Sequence, residues 1–310
     1  MPKYTLLTNE PRVINGITLY RIQATENFGT VKKGDIGGWV QSYDNLSQDG
    51  NCWIYKNAAV YNNAKISDNA LVTGYVSIYD NALIYGDAFV CGVTDVYGNA
   101  KVYDKARLLG NVLVYEDAQV HGSATLYDSV VVHGRADVYD NVILAGECKI
   151  FGSAKIFEDA YIFGDATVYD NAMVYGNAMV YGYAKIFENA KIHDNARAFE
   201  FCSISGNAEI KDSAIVYGKV KINGNTVFGN NASIGSYSNF LTIGPIRMNA
   251  AVTDSILFYK NNKGKLSVMY NTIIYKADEF LRMVENIDDD EVYKMFKLAI
   301  EIANTQIKLS

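Results

Sequence analysis

The sequence predicts an all-β solenoid, a prism of short parallel strands, and three observations support this fold class. Aliphatic residues recur every six positions from Ile54 to Ile234, and 29 of these 31 positions hold Ile, Val or Leu. A second column, four residues after the first, has 21 Ala among its 30 positions and nothing larger than Val. No insertion or deletion interrupts the frame over 181 residues. A periodicity this strict indicates a repeat architecture.

Each six-residue repeat predicts one short strand followed by one tight turn. The residues on either side of the aliphatic position differ from it in character, which is the alternation of a strand. The next two positions of the repeat are dominated by Gly or Asp and then by Asn, Asp or Ser, as in Asp140 and Asn141. These residue types tolerate positive φ, and we expect the acidic ones to be solvated turn formers. Three turns close a triangle, so three repeats form one coil and the repeats together form about ten coils.

This repeat is typical of the left-handed parallel β-helix. A pentapeptide solenoid has the wrong period, and a hairpin barrel requires regularly spaced hairpin turns that the sequence lacks. The repeat contains no proline, as expected where nearly every backbone N–H joins a ladder. The inward aliphatic column forms the predicted core, so a charge at Val138 or Ile156 is expected to unfold it locally.

The two ends depart from the repeat, which divides the chain into three predicted parts. Residues 1–52 form an N-terminal cap that leads into the first coil and covers its open edge, and residues 53–238 form the β-helix. Residues 239–310 form a small α+β domain, with strands and then two helices. The pattern predicts strands over 240–246, 252–259 and 266–270, a hairpin turn over 261–264, and helices over 277–287 and 290–308. Residues 288–290 supply a cap for the second helix.

Composition argues against several classes of partner. The net charge of −6 argues against a nucleic-acid backbone as the main partner. No apolar run approaches the roughly 18 to 20 residues that span a bilayer, so no membrane partner is predicted. The first residues lack the apolar segment of a signal peptide, which predicts a cytoplasmic protein. Cys52, Cys148 and Cys202 fill the small inward column and Cys91 points outward alone, so we expect reduced thiols.

We define face 1 as the prism face whose inward column begins with Ile54, Val72 and Val90. Its outward positions are too apolar to be left in water, and aromatic residues, Met and Arg are enriched in interfaces. We therefore expect a second subunit, or the C-terminal segment folded back, to cover face 1. The predicted interface residues are Trp53, Leu71, Phe89, Leu109, Ile143, Tyr161, Phe163, Met179, Phe199 and Ile215.

The other two faces carry ladders of aromatic residues flanked by lysines. Face 2, which begins with Val60, presents Tyr61, Tyr79, Tyr97, Tyr115, His133 and Phe151, and face 3, which begins with Ile66, presents Tyr85, Tyr103, His121, Tyr139 and Phe157. We interpret these rings as cross-strand neighbours that stiffen the sheets, and stacking of sugar rings is the alternative. His121, His133 and His193 take the place of Tyr, with no Cys or second His nearby, so no metal site is predicted. The Gly-rich turns precede no helix and match no phosphate-binding loop.

The repeat resembles the hexapeptide-repeat superfamily, whose best-known members are homotrimeric acyltransferases that use coenzyme A or acyl-carrier-protein donors. Three short segments resemble, more specifically, the N-terminal region of YdcK-type proteins and of related phage-borne repeat proteins. They are Gly37-Gly38-Trp39-Val40, Asn45-Leu46-Ser47 and Trp53-Ile54-Tyr55. This resemblance covers about residues 30–235. It implies a general-base His, and the matching candidates are His121 and His133. The family usually places that His on a loop that interrupts the helix, whereas here the frame is uninterrupted.

Two functions from different classes follow. The intact frame and the missing catalytic cluster favour a non-catalytic scaffold, a homotrimer or homodimer that binds another protein and needs no cofactor. The most specific version of this hypothesis is a phage-encoded factor that binds a protein of the host cell. The alternative is a coenzyme A-dependent acyltransferase with its site at a subunit groove, which would take acyl-coenzyme A and use His121 or His133. A general base must lie within about 3 Å of the acceptor proton, directly or through one water.

Overall fold

A computed structural model describes residues 2–225, 227–229, 233–237, 240–243, 246–248, 251–253, 256–261, 265–270, 273–286 and 290–307. The chain is a parallel β-solenoid of about 11 turns with a small C-terminal α+β region, so the predicted fold class is confirmed. It divides into two compact units, residues 1–164 and 165–310. Within the described ranges, no helix has both the length and the apolar character needed to cross a membrane.

The repeats of the first unit form three parallel ladders in which partners are 18 residues apart, so Phe89 pairs with Leu71 and with Arg107. Face 1 consists of Trp53–Ile54, Leu71–Gly74, Phe89–Gly92, Arg107–Gly110, Thr125–Asp128, Ile143–Leu144 and Tyr161–Ile162. Face 2 consists of Ala59–Val60, Ser77–Ile78, Asp95–Val96, Leu113–Val114, Val131–Val132 and Lys149–Ile150. Face 3 consists of Lys65–Ile66, Leu83–Ile84, Lys101–Val102, Gln119–Val120, Asp137–Val138 and Lys155–Ile156.

The core of the first unit is the pair of inward columns that the periodicity predicts. Val138 and Ile156 are fully buried, and so are the small residues Ala136 and Cys148 at the corners. Each turn is closed by a residue with positive φ, for example Asp140 at +59°. Gly and Asp dominate these positions, because Gly adopts the left-handed region at the least cost and Asp tolerates it better than most residues.

The N-terminal segment caps the first coil. Strands Tyr4–Ile14 and Ile17–Ala24 form an antiparallel pair, and Ile36–Val40 joins them to face 2 by pairing in parallel with Ala59–Val60. A 3-10 helix spans Tyr43–Asn45. The indole of Trp53 is only 1% exposed because the Phe28 ring lies 5.4 Å from it and the Tyr4 ring 6.2 Å from it.

The second unit continues the same six-residue pattern. Its strands are Met179–Val180, Arg197–Ala198, Ile215–Gly218 and Ser233–Tyr237 on face 1, Thr167–Val168, Lys185–Ile186, Ser203–Ile204 and Lys221–Ile222 on face 2, and Met173–Val174, Lys191–Ile192, Glu209–Ile210 and Val227–Phe228 on face 3. Here too the aliphatic column is buried, and Phe228 fills it with an aromatic ring.

An antiparallel sheet then extends face 1 of the second unit. Its strands are Phe240–Ile243, Ile256–Lys260, Leu266–Tyr270 and Ile273–Lys276, and a separate hairpin joins Ile246–Met248 to Ala251–Thr253. The strand predicted over 252–259 is therefore wrong as a single element, since two strands occupy it. The strand Ile273–Lys276 was not predicted. Most of the predicted turn over 261–264 lies outside the described residues.

Two helices, Ala277–Glu285 and Asp290–Gln306, end the chain as predicted, each slightly shorter than the pattern suggests. The second helix contacts strands Lys221–Ile222, Phe240–Ile243 and Ile256–Lys260, and the first contacts Leu266–Tyr270 and Ile273–Lys276. Phe280 and Phe296 meet edge to face, with ring centroids 5.1 Å apart. Residues 288 and 289 of the predicted cap lie outside the described residues.

Candidate functional site

The most exposed large apolar side chains of the first unit's repeats all lie along face 1 or on the turn that follows it. Tyr75 is 68% exposed and Val93 57% on that turn, and Tyr127 and Ile143 are about 40% exposed on the face. Faces 2 and 3 of this unit have no described large apolar side chain as exposed as these. In the second unit, Tyr183 and Phe201 occupy the same turn position.

The structure gives the predicted interface residues different surroundings. Trp53 is buried beneath the N-terminal cap, so it belongs to the packing of the first coil and is not on the open surface. Leu71, Phe89, Leu109, Tyr161 and Phe163 are half-buried, and Ile143 is exposed. In the second unit Met179, Phe199 and Ile215 are half-buried. In each unit, taken by itself, face 1 therefore offers apolar atoms to water.

A shallow hollow of about 470 Å³ opens at the edge of face 1 in the first unit. Its lining includes Phe89, Lys105 and Arg107, and the Arg107 guanidinium lies 5.6 Å from the centre of the Phe89 ring. Neither Lys105 nor Arg107 forms an ion pair with a carboxylate of the described residues. Arg beside an aromatic ring is the kind of group that anchors protein interfaces.

Sequence reasoning missed Tyr75, Val93, Tyr183 and Phe201. It considered only the two outward strand positions of face 1, whereas these residues occupy the turn. The signal is present in the sequence, because this turn position holds Asn, Asp or Ser in most repeats and a large apolar residue in these four.

The aromatic residues of faces 2 and 3 stack in register, as expected for cross-strand neighbours. Neighbouring ring centroids in the first unit lie 4.5 to 5.2 Å apart with nearly parallel planes. Burial raises the pKa of Tyr79 to about 12 and that of Tyr103 to about 12. These phenols are therefore neutral stacking partners at physiological pH.

His121 is one ring of the face 3 ladder. Its ring lies 4.5 Å from that of Tyr103 and 5.1 Å from that of Tyr139. Its Nε2 is 3.0 Å from Oδ1 of Asp137, and its Nδ1 is 3.7 Å from Oδ2 of Asp104. Both ring nitrogens thus face carboxylates of the same chain, which ties His121 to its own ladder.

The other two histidines also face carboxylates. Nδ1 of His133 lies 3.4 Å from Oε2 of Glu116. His193 has Nδ1 3.1 Å from Oδ2 of Asp194 and Nε2 3.1 Å from Oε1 of Glu209. Only His133 keeps a ring nitrogen, Nε2, without a partner among the described residues.

The cysteines are separate from one another. Cys52, Cys148 and Cys202 are buried, and burial raises the pKa of Cys148 and of Cys202 to about 12. Cys91 is half-buried on face 1. The described part of the chain contains no group of three His, Cys, Asp or Glu side chains placed to hold a metal ion.

No protein-family model matches the sequence, and no curated protein matches it significantly. The structure itself defines the class of protein, which is a parallel β-solenoid with an exposed apolar face.

Proposed function

We propose that this protein is a non-catalytic binding scaffold whose face 1 is covered by a second copy of the chain in a homodimer or homotrimer. The observation that supports this is the concentration of exposed apolar side chains on face 1 and its turn. Covering one such side chain contributes about 1.5 to 3 kcal/mol, so a row of them favours association. The remaining faces present regular aromatic and charged surfaces to a further protein partner.

The resemblance to phage-borne repeat proteins supports a host-directed form of this proposal, in which the scaffold occupies a protein of the host cell. Nothing in such a role requires chemistry at the histidines. The ladder geometry supports a structural role for them, because each ring stacks on a neighbour and faces an acidic side chain.

The test is the mass of the native protein with Phe89→Asp and Phe163→Asp together. Two charges on face 1 should lower the number of subunits in the oligomer, because a carboxylate loses its hydration when the face is covered. Phe151→Asp and Phe157→Asp together are the matched control, with two charges on faces 2 and 3, and they should leave the subunit number unchanged. An unchanged mass for the face 1 variant overturns the proposal.

An acyltransferase with its site at a subunit groove is the second candidate, and the unpartnered Nε2 of His133 favours it. A base needs one free ring nitrogen directed at the acceptor. We expect His133→Phe to keep the ladder, since Phe151 follows it there, and to abolish any acetyl-coenzyme A turnover, while His121→Phe retains it. Native mass spectrometry without uptake of acetyl-coenzyme A excludes this candidate.

A further inference from the structure

The C-terminal sheet ends in an open edge. Ile273–Lys276 is its last strand and pairs on one side only, with Leu266–Tyr270. Ile273 and Ile274 point to opposite faces of the sheet and are 54% and 61% exposed. An edge strand with exposed β-branched residues is a template for pairing with another strand.

The hydrogen-bond alternation shows which residues of the neighbouring strand bond to this edge strand. The Asn261 N–H donates to the Lys265 carbonyl at 2.9 Å, and the Lys265 N–H donates to Oδ1 of Asn261 at 3.1 Å. Residues 261 and 265 therefore face each other at a hydrogen-bonding position, at the end of the ladder between Ile256–Lys260 and Leu266–Tyr270. Bonded pairs recur at every second residue of an antiparallel ladder. Ser267 therefore bonds toward Ile256–Lys260, and Val268 bonds in the other direction, toward the edge strand.

The partner of Val268 is Tyr275, so the N–H and C=O of the preceding residue, Ile274, point away from the sheet. The Lys276 N–H independently supports this alternation, because it leaves the ladder and donates to Oε2 of Glu279 at 3.3 Å. Among the described residues, no strand lies on that side of Ile273–Lys276, and Ile274 forms no backbone bond to a turn or loop. The edge thus offers one donor and one acceptor on Ile274, whose side chain is exposed like that of the preceding residue, Ile273.

We propose that a second copy of this chain adds its own Ile273–Lys276 strand antiparallel to this edge, with Ile274 opposite the same residue of the second copy. A bonded antiparallel pair requires each residue to donate and to accept, and Ile274 offers both. A two-fold axis makes the exchange reciprocal. On either side of the axis, Ile273 of one copy lies opposite Tyr275 of the other, a β-branched and aromatic pair that stabilises sheets.

Charge is compatible with this self-pairing. Nζ of Lys276 lies 2.7 Å from Oε1 of Glu279 in the same chain, so the lysines near the axis are each compensated by a carboxylate of their own chain. The contact uses residues other than those of face 1 and does not rest on the proposed function. It gives the C-terminal region a specific role, since two copies would share one continuous sheet.

A charge-swap experiment tests both the contact and its register, in a background with Phe89→Asp and Phe163→Asp that removes the face 1 contact. Ile274→Lys and Ile274→Asp each place like charges opposite one another, so each should weaken self-association by about tenfold or more. An equimolar mixture should restore association, because Lys then faces Asp. Variants that sediment as the parent does, or a mixture as weak as its components, overturn the proposal. Circular dichroism checks that each variant is folded.

Amide hydrogen exchange provides a second readout on the unmodified chain. Exchange at Ile274 should slow several-fold as the protein concentration rises, because its N–H becomes bonded only in the pair. The Ile273 amide is the internal control, since it already bonds to Tyr270 and should not respond. An Ile274 amide that exchanges as fast as an unprotected amide at every concentration contradicts the proposal.

Discussion

The carboxylate of Asp68 accepts a hydrogen bond from the backbone N–H of Gly86 in the next coil, with Oδ2 2.9 Å from the nitrogen. The same bond joins Asp80 to Gly98 and Asp140 to Glu158. The acidic turn residues, expected to be solvated turn formers, therefore link consecutive coils. They also hold the positive φ of the turn, which is +57° at Asp68.

Asp68→Gly and Asp68→Ala separate these two contributions. Asp68→Ala keeps a Cβ at positive φ and loses only the acceptor, so it should destabilise by about 0.5–1.5 kcal/mol. Asp68→Gly loses the same acceptor but removes the steric cost of a Cβ at positive φ, so it should be about 1 kcal/mol more stable than Asp68→Ala. The measurement is the urea midpoint of each variant. Equal midpoints for the two variants would show that the backbone conformation contributes nothing.

Val138→Asp should open the solenoid around its own coil. Val138 is fully buried in the aliphatic column, and a carboxylate there has no partner to offset the loss of water. We expect fast amide exchange and proteolytic cleavage in the surrounding coils. Val138→Ile, which matches the residue at position 156, is the control and should cost less than about 1.5 kcal/mol. If the amides of Val138→Asp exchange as slowly as those of the parent protein, the assignment of the core is wrong.

Thiol labelling should distinguish the four cysteines. Burial raises the pKa of Cys148 and Cys202 to about 12, so almost no reactive thiolate is present at neutral pH. Cys91 is half-buried and should react first. Iodoacetamide followed by peptide mass mapping measures the order, and all four should react in denaturant. Labelling of Cys148 as fast as that of Cys91 would mean that the coil interior is open to reagent.

The tyrosine ladders should make the protein sensitive to alkali. Burial raises the pKa of Tyr79 and of Tyr103 from 10.0 to about 12. The folded state then holds these protons more tightly than the unfolded state, so their stabilising contribution is complete below pH 10 and is lost as the pH rises through 12. Ultraviolet absorbance of tyrosinate and the unfolding midpoint, followed over this range, measure both effects. Tyr79→Phe should reduce the loss. An unfolding midpoint that does not change between pH 10 and pH 12 would contradict the raised pKa values of Tyr79 and Tyr103.

The sequence determined by itself everything that depends on local periodicity. The columns that begin with Ile54 and Ala58, the turn at each Asp or Gly and the two final helices follow from residue types at fixed spacing, because a strand and a tight turn are decided within six residues. The aromatic ladders follow too, since three repeats bring equivalent positions into register.

The tertiary structure alone decided how much of each side chain meets water or another group. Trp53 is an outward residue in the repeat, yet the N-terminal cap covers it. Asp137 becomes a partner of His121 only because closing one coil brings residue 137 beside residue 121. The open edge at Ile274 depends on pairing among antiparallel strands whose register has no periodic signal. Exposure, ion pairing and edge formation depend on atoms that are distant in sequence, and a local pattern does not specify them.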